Sequence, residues 1–365
     1  MSIQRVIISG GGTGGHIFPA VAIADEMKRR NPSVAILFIG ALGKMEMEKV
    51  PQAGYEIVGL PIAGFQRKLT LSNFILPFKL LKSLWMARSV IKKFKPQLAI
   101  GVGGYASGPT LQMAQLLGIP TLIQEQNSYP GKTNQLLAKK TAKICTAYSG
   151  MDQFFPVEKI IQTGNPVRNL VTQNPQLRTE ALSFFGLNPT KKTVLIIGGS
   201  LGARTLNESV LHHIEMIQQE DIQVIWQCGK FYLDKIEQEF QDAWRTSVQV
   251  HAFIQRMDLA YAVADVIISR AGALSVSELT LIGKPCILVP SPNVAEDHQT
   301  KNAMALVKED AAILVKDNES KEMLIPTVVE LLKNAEKCQQ LGKSILLLAK
   351  PNASIEIVDA CESIL

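Results

Sequence analysis

The sequence predicts a two-domain α/β protein built on parallel sheets, and three observations lead there. Short β-branched runs alternate with turn residues and helical patterns along the whole chain, the rhythm of parallel strands joined by right-handed crossovers. The run Val6-Ile7-Ile8 leading into Gly10-Gly11-Gly12-Thr13-Gly14-Gly15-His16 has a second beginning: Thr193-Val194-Leu195-Ile196-Ile197 leads into Gly198-Gly199-Ser200-Leu201-Gly202-Ala203-Arg204. At 365 residues the chain also exceeds what one ordinary compact core holds.

Taken in order, strands are expected near 4–9, 34–39, 56–59, 97–102, 120–124, 143–147 and 160–163. A second series is expected near 193–197, 223–227, 248–251, 265–269, 286–289 and 313–315. Two Rossmann-like domains follow, one over 1–165 and one over 166–348. Between them Gly164-Asn165-Pro166-Val167-Arg168 breaks the pattern, because Asn-Pro disfavours a continuing helix. Residues 349–365, through Ile355-Glu356-Ile357-Val358, read as a short amphipathic helix that packs back on the first domain.

Composition excludes several classes. With 47% hydrophobic and 19% charged residues and no low-complexity tract, the chain folds. The five cysteines (Cys145, Cys228, Cys286, Cys338 and Cys361) stand singly, which argues against a disulfide framework or a zinc knuckle and for packing roles in a reducing compartment. The first strand begins too early to leave room for a signal peptide, and no apolar run reaches the roughly 18 residues that cross a bilayer, so a cytosolic-side protein is expected. Charge is lopsided: residues 1–165 hold 19 Lys+Arg against 8 Asp+Glu, net +11, and the remainder 19 against 24, net −5. A basic first half calls for an anionic partner, and charge alone admits nucleic acid or an anionic membrane.

Three glycine loops each follow a strand: Gly10–His16, Gly101–Pro109 and Gly198–Arg204. A helix opening on glycines offers unpaired amides and a positive dipole end to an anion, so the loops predict phosphate handling. The first satisfies the dinucleotide fingerprint Gly10-x-Gly12-x-x-Gly15. That reading needs an acid about 20 residues on to hold a ribose, and none occurs after the second strand until Glu46. His16, at a helix entry whose dipole favours neutral imidazole, is a candidate general base. Ile268–Glu278 reads as a strand turning into a helix through small residues, placing Glu278 where a carboxylate accepts two ribose hydroxyls. Equally well, Ser275 and Ser277 read as helix caps and Glu278 as a favourable charge near a helix start. Asp297 and His298 are adjacent and do not share a helix face, which discounts a metal pair. In 69–86, much of it helix core, Phe74, Ile75, Phe78 and Trp85 alternate with Lys79, Lys82 and nearby Arg88, the composition of a membrane-surface helix with snorkelling lysines. No nucleic-acid motif or aromatic platform competes.

Seven motifs in order carry a resemblance that runs nearly end to end. They are Gly11–His16, Gly103–Pro109, Glu125-Gln126-Asn127, Gly164–Arg168, Gly198–Ala203, Gly272–Glu278 and Asp297–Ala303. On these the chain resembles the MurG family of glycosyltransferase family 28. The resemblance implies a GT-B fold, two Rossmann-like domains facing across a deep cleft. It implies transfer of N-acetylglucosamine from UDP-N-acetylglucosamine to the 4-hydroxyl of the muramoyl-pentapeptide of lipid I, with inversion, giving lipid II. UDP-N-acetylglucosamine is then a co-substrate, with no cofactor and no metal.

By motif position the resemblance assigns the uracil to the Ile254 backbone, the ribose to Glu278 and the diphosphate to Ser200 with Arg168. Ala273, Leu274, Ser275, Val276, Ser277 and Gln299 line the donor pocket, Thr13, Gly14 and Gly15 meet the donor from the first domain, and Asn127 meets the amino sugar. His16 is the implied base, with Glu125 its rival. Arg256 stands where relatives often carry an acid. The family further implies a peripheral place on the cytoplasmic face of the bacterial plasma membrane, and it admits partners in cell-wall or division machinery. Rival readings are another lipid glycosyltransferase on this scaffold, a UDP-sugar epimerase, an oxidoreductase and a pure binding module; only turnover with acceptor separates the nearest of them.

Overall fold

The computed structural model describes residues 3–62, 71–167, 175–199 and 201–365, with the side chains of 71–76, Pro175 and Ala295 outside that description. The chain divides into two units, one of Met1–Arg168 with Lys350–Leu365, the other of Asn169–Ala349.

The first unit runs β1 (Arg5–Ser9), α1 (Gly14–Arg30), β2 (Ala35–Ala41), α2 (Glu46–Gln52), β3 (Glu56–Leu60), α3 (Leu71–Phe94), β4 (Leu98–Gly101), α4 (Ser107–Leu116), β5 (Thr121–Glu125), α5 (Lys132–Leu137), β6 (Lys143–Thr146) and β7 (Ile160–Gln162). Its seven strands lie in the order β3-β2-β1-β4-β5-β6-β7, all parallel. Helices cover both faces, so the central strands are apolar on both sides. Val6 and Ile8 face a core with Ile17, Ile23 and Leu98, while Ile7 faces Leu37, Ala87 and Ile91 on the other side.

The second unit runs α6 (Pro175–Phe184), β8 (Thr193–Ile197), α7 (Arg204–His212), α8 (Ile214–Gln219), β9 (Gln223–Gln227), α9 (Leu233–Glu239), β10 (Val248–His251), α10 (Met257–Val263), β11 (Val266–Ser269), α11 (Ala273–Ile282), β12 (Cys286–Leu288), α12 (His298–Val307), β13 (Ile313–Leu314), α13 (Ser320–Lys333) and α14 (Ala335–Leu347). Its sheet order, β10-β9-β8-β11-β12-β13, repeats that of the first unit from its own first strand. Among the described residues, all thirteen strands lie within two residues of where the sequence places them.

In both units the strand order reverses direction beside the first strand, between β1 and β4 and between β8 and β11. Such switch points open a crevice at the carboxyl ends of the strands, the place where α/β sheets bind ligands. Each switch point here is flanked by two of the small-residue loops singled out in the sequence.

The last helix, α15 (Ala353–Glu362), belongs to the first unit. Ile357 and Cys361 are fully buried in the core that holds Val6 and Ile17. Arg30, at the end of α1, donates to Asp359 at 2.6 Å, to Glu362 at 3.1 Å and to the Ile355 carbonyl at 3.0 Å. Burial pushes the Cys145 and Cys286 thiols up to about 12, which suits inert packing groups. Among the described residues no helix is long and apolar enough to cross a membrane.

Candidate functional site

At the first unit's switch point the loop after β1 is fitted against the loop after β4 by the absence of side chains. A Cβ on Gly104, whose φ is +85°, would stand 2.3 Å from the Gly11 carbonyl oxygen, and one on Gly10 would meet Val102 at 2.1 Å. α1 then starts at Gly14 behind Thr13, with no acid in its first turn. Thr13 Oγ1 and His16 Nδ1 lie 3.3 Å apart. A base at Nε2 needs the proton on Nδ1, so Thr13 accepts that bond in the reactive tautomer. The ring rests on Gly103, where a Cβ would fall 2.8 Å from Nε2.

Glu125, the rival base, ends β5 and is 2% exposed. Its Oε1 accepts from the Asn127 amide at 3.0 Å and the Asn127 side chain at 3.4 Å; Oε2 accepts from the Gly131 amide at 3.1 Å and Asn134 Nδ2 at 2.8 Å. Burial pushes its carboxyl up, and the N–H groups of Asn127, Asn134 and Gly131 pull it back. Both oxygens thus shape the 126–134 loop, and this carboxylate also positions Asn127. Beneath it Gln124 donates to Asn165 at 2.9 Å, Asn165 to the Gln126 carbonyl at 3.0 Å and Gln126 to the Val102 carbonyl at 2.9 Å, tying the second glycine loop to Asn165 at the end of the first unit's sheet.

In the second unit two glycines interlock. A Cβ on Gly202 (φ +82°) would meet the Cys228 carbonyl at 2.1 Å, and one on Gly229 (φ +91°) the Gly202 nitrogen at 2.2 Å. The helix start at Arg204 is held further by Thr205, which donates to Asp317 at 2.6 Å and accepts from Arg270 at 2.8 Å. Arg270 also pairs with Asp317 and donates to the Val289 carbonyl at 3.0 Å, binding the ends of β11 and β12 to α7.

Across the switch point α11 begins behind Gly272. Ala273, Leu274, Ser275, Ser277 and Glu278 are partly exposed, while Val276 turns inward at 1%. Ser277 does not cap the helix: its hydroxyl donates to the Ala273 carbonyl at 3.0 Å. Buried Tyr261 donates to Glu278 Oε2 at 3.3 Å, orienting the carboxylate, and burial followed by that neighbouring charge raises the phenol. Gln299 accepts from the Ser291 amide at 2.8 Å, which directs its NH2 elsewhere. Just before it, Glu296 and Asp297 both hold left-handed φ, +53° and +54°, strain of the kind found at ligand sites. Burial lowers the His298 pKa, favouring a neutral ring.

Two main-chain amides are already engaged within the chain. The Ile254 amide is engaged by buried Gln227 Oε1 at 2.9 Å, so only its carbonyl remains as the main-chain group to assign to a base. The Gly12 amide, offered by the sequence as an anion donor, is taken by Glu46 at 2.8 Å. Arg256 caps nothing with its side chain and pairs with Asp258 at 2.8 Å and Glu180 at 3.1 Å. Arg168 and Ser200 lie outside the described residues, as do the side chains of Phe74 and Ile75. On α3, Phe78, Leu81, Lys82 and Trp85 form one exposed face at i, i+3, i+4, i+7 spacing, with Lys79 half-buried beside it. Among the described residues no group of three or more His, Cys, Asp or Glu side chains is placed to hold a metal ion. Sequence reasoning missed Glu46, Tyr261, Gln227 and Thr205, which act by contacts distant in sequence.

Twin Rossmann-type sheets, with an imidazole at one switch point and an oriented carboxylate at the other, fit a nucleotide-sugar glycosyltransferase of the GT-B class. Residues 6–146 match the glycosyltransferase family 28 N-terminal domain and residues 193–355 the C-terminal domain of the same family. The chain belongs to glycosyltransferase family 28, in its MurG branch.

Its relatives include a UDP-N-acetylglucosamine--N-acetylmuramyl-(pentapeptide) pyrophosphoryl-undecaprenol N-acetylglucosamine transferase of Bacteroides fragilis, 56% identical over 97% of this chain and 93% of that one. The protein of the same description from Parabacteroides distasonis is 54% identical over 98% of each. Among solved structures, MurG of Acinetobacter baumannii superposes with a TM-score of 0.81 at 30% identity, covering 99% of both chains. UDP-GlcNAc 2-epimerase from Neisseria meningitidis, at 14% identity and TM-score 0.68 over 99% and 100%, shares the fold.

Proposed function

We propose that the chain transfers N-acetylglucosamine from UDP-N-acetylglucosamine to the 4-hydroxyl of the muramoyl-pentapeptide of lipid I, with inversion, giving lipid II. The observation that carries the reading is the unequal furnishing of the two switch points. The first unit carries a Thr13-oriented imidazole, the second an α11 start with Glu278 held by Tyr261. An imidazole suits removal of a hydroxyl proton, and a carboxylate beside helix amides suits a nucleotide.

In this reading His16 is the general base. Glu125, saturated by N–H donors, is a positioning residue that holds Asn127 for the amino sugar. Glu278 takes the ribose and the Ile254 carbonyl the uracil. Ala273, Leu274, Ser275, Ser277 and Gln299 line the donor pocket, with Val276 packing beneath. Ser200 and Arg168 take the diphosphate by motif position, and with the helix-start amides they offset the leaving charge without a metal. Activity in excess EDTA is therefore expected to equal activity with magnesium.

The exposed face of α3 is proposed to rest on the anionic cytoplasmic surface of the plasma membrane, where lipid I is anchored. Replacing Phe78 and Trp85 by serine is expected to abolish sedimentation with anionic liposomes; unchanged sedimentation would refute the assignment. The function itself is tested by incubating labelled UDP-N-acetylglucosamine with a short-chain lipid I analogue. Label in a β-linked disaccharide lipid is expected. Epimerised or hydrolysed donor without transfer would contradict it.

A further inference from the structure

Glu46 opens α2, far in sequence from the motifs that mark the site, and is 1% exposed. Its carboxylate bridges two main-chain segments. Oε2 accepts from the Gly12 amide at 2.8 Å, and Oε1 from the Ala41 amide at the end of β2 at 2.9 Å. Two glycines make room for it. A Cβ on Gly11 would lie 2.2 Å from the carboxyl carbon, and one on Gly40 would lie 2.5 Å from Cγ. The Gly11 backbone is therefore confined between the Glu46 carboxyl on one side and Gly104 on the other.

From these contacts we infer that Glu46 is a positioning residue for transfer: by gripping Gly12 it fixes the loop that leads into Thr13 and aims His16. The inference rests on reading His16 as the base. It also explains why a side chain at 11 or 40 would collide with Glu46, and why the Gly12 amide, committed to an internal carboxylate, is not part of a phosphate cradle. Glu46 touches no reacting atom; it acts through the backbone that carries the imidazole.

The test uses the full-length enzyme with Glu46→Gln, His16→Ala and the double variant. A carboxamide keeps the shape but faces one of the two amides with a donor, so the loop shifts. Glu46→Gln is expected to lower kcat about 10-fold or more, as misplacement of a reacting group does, with the KM for UDP-N-acetylglucosamine within about 2-fold. In the His16→Ala background the same change is expected to cost less than about 2-fold, since the group it positions is already gone.

A normal kcat in Glu46→Gln, or an undiminished loss in the double variant, overturns the inference. If His16→Ala alone retains the parent rate, the base reading falls, and with it the claim that Glu46 acts through His16. Should Glu46→Gln fail to fold, amide hydrogen exchange on the parent decides. Slow exchange at Gly12 supports the grip, and exchange at the rate of an open loop overturns it.

Discussion

Replacing Glu125 by glutamine separates a proton acceptor from a buried scaffold group. In the parent, each carboxylate oxygen takes two N–H donors. The new amide presents an NH2 toward one of those pairs. If it faces Asn134, that side chain can turn over, because Asn134 Oδ1 is buried without a hydrogen-bond partner among the described residues. The Gly131 amide has no such escape. One orphaned buried N–H costs about 1–3 kcal/mol, and the about 1 kcal/mol lost in exchanging charge-assisted for neutral bonds is offset by no longer burying a charge, so a loss of about 1–3 kcal/mol is expected. Calorimetric unfolding measures it, alongside kcat and kcat/KM against pH. A destabilised enzyme with a moderate fall in kcat and an unaltered pH profile is expected. Stability within about 0.5 kcal/mol of the parent, with kcat down about 1000-fold and the acidic limb of the profile gone, would refute the reasoning and make Glu125 the base.

Three further expectations come from particular contacts. The hydrogen bond and charge of Arg29, then Arg30, outweigh burial and hold the Glu26 carboxyl at about 2, below its ordinary 4.5. A depressed carboxyl stabilises the fold fully above its unfolded value, and that contribution disappears as pH falls from 4.5 through about 2. Discounted for the exposed Arg29 partner, it is about 1–2 kcal/mol, and Glu26→Gln is expected to flatten stability against pH in that window; an unchanged slope would contradict it. Tyr261→Phe removes the 3.3 Å bond to Glu278 and is expected to raise the donor KM about 3- to 5-fold with kcat little changed, where a loss confined to kcat would argue against a ribose role. Gly202→Ala drives a Cβ to 2.1 Å from a fixed carbonyl at φ +82° and is expected to cost more than about 3 kcal/mol and to abolish UDP binding by calorimetry; parent-like affinity would show that the loop tolerates movement.

The strand pattern was legible because a parallel strand buried on both faces writes itself as a short apolar run, as Val6-Ile7-Ile8 and Val194–Ile197 do, ended by glycine. Strand order was not read from the sequence, since nothing in β4 or β11 names its neighbour. The small-residue loops were visible for the same reason that they work: Gly104 and Gly202 have no space for a side chain. What they were for was less visible. A glycine loop looks identical whether its amide faces a phosphate or an internal acid, and only the fold brings Glu46 onto Gly12. Likewise Glu125 reads in sequence as a free acid in a polar motif, although the turn it begins returns Gly131 and Asn134 to its own carboxylate. Tyr261 and Gln227 stand in a helix and a strand with no local mark of their contacts to Glu278 and Ile254.

The division of labour between base and nucleotide holder is tested most directly by measuring UDP-N-acetylglucosamine affinity and single-turnover transfer in His16→Ala and Glu278→Ala. His16→Ala is expected to bind donor within about 2-fold of the parent while transferring at least about 100-fold more slowly. Glu278→Ala should lose affinity foremost. Donor affinity lost on replacing His16, or transfer near the parent rate without its imidazole, would contradict the account.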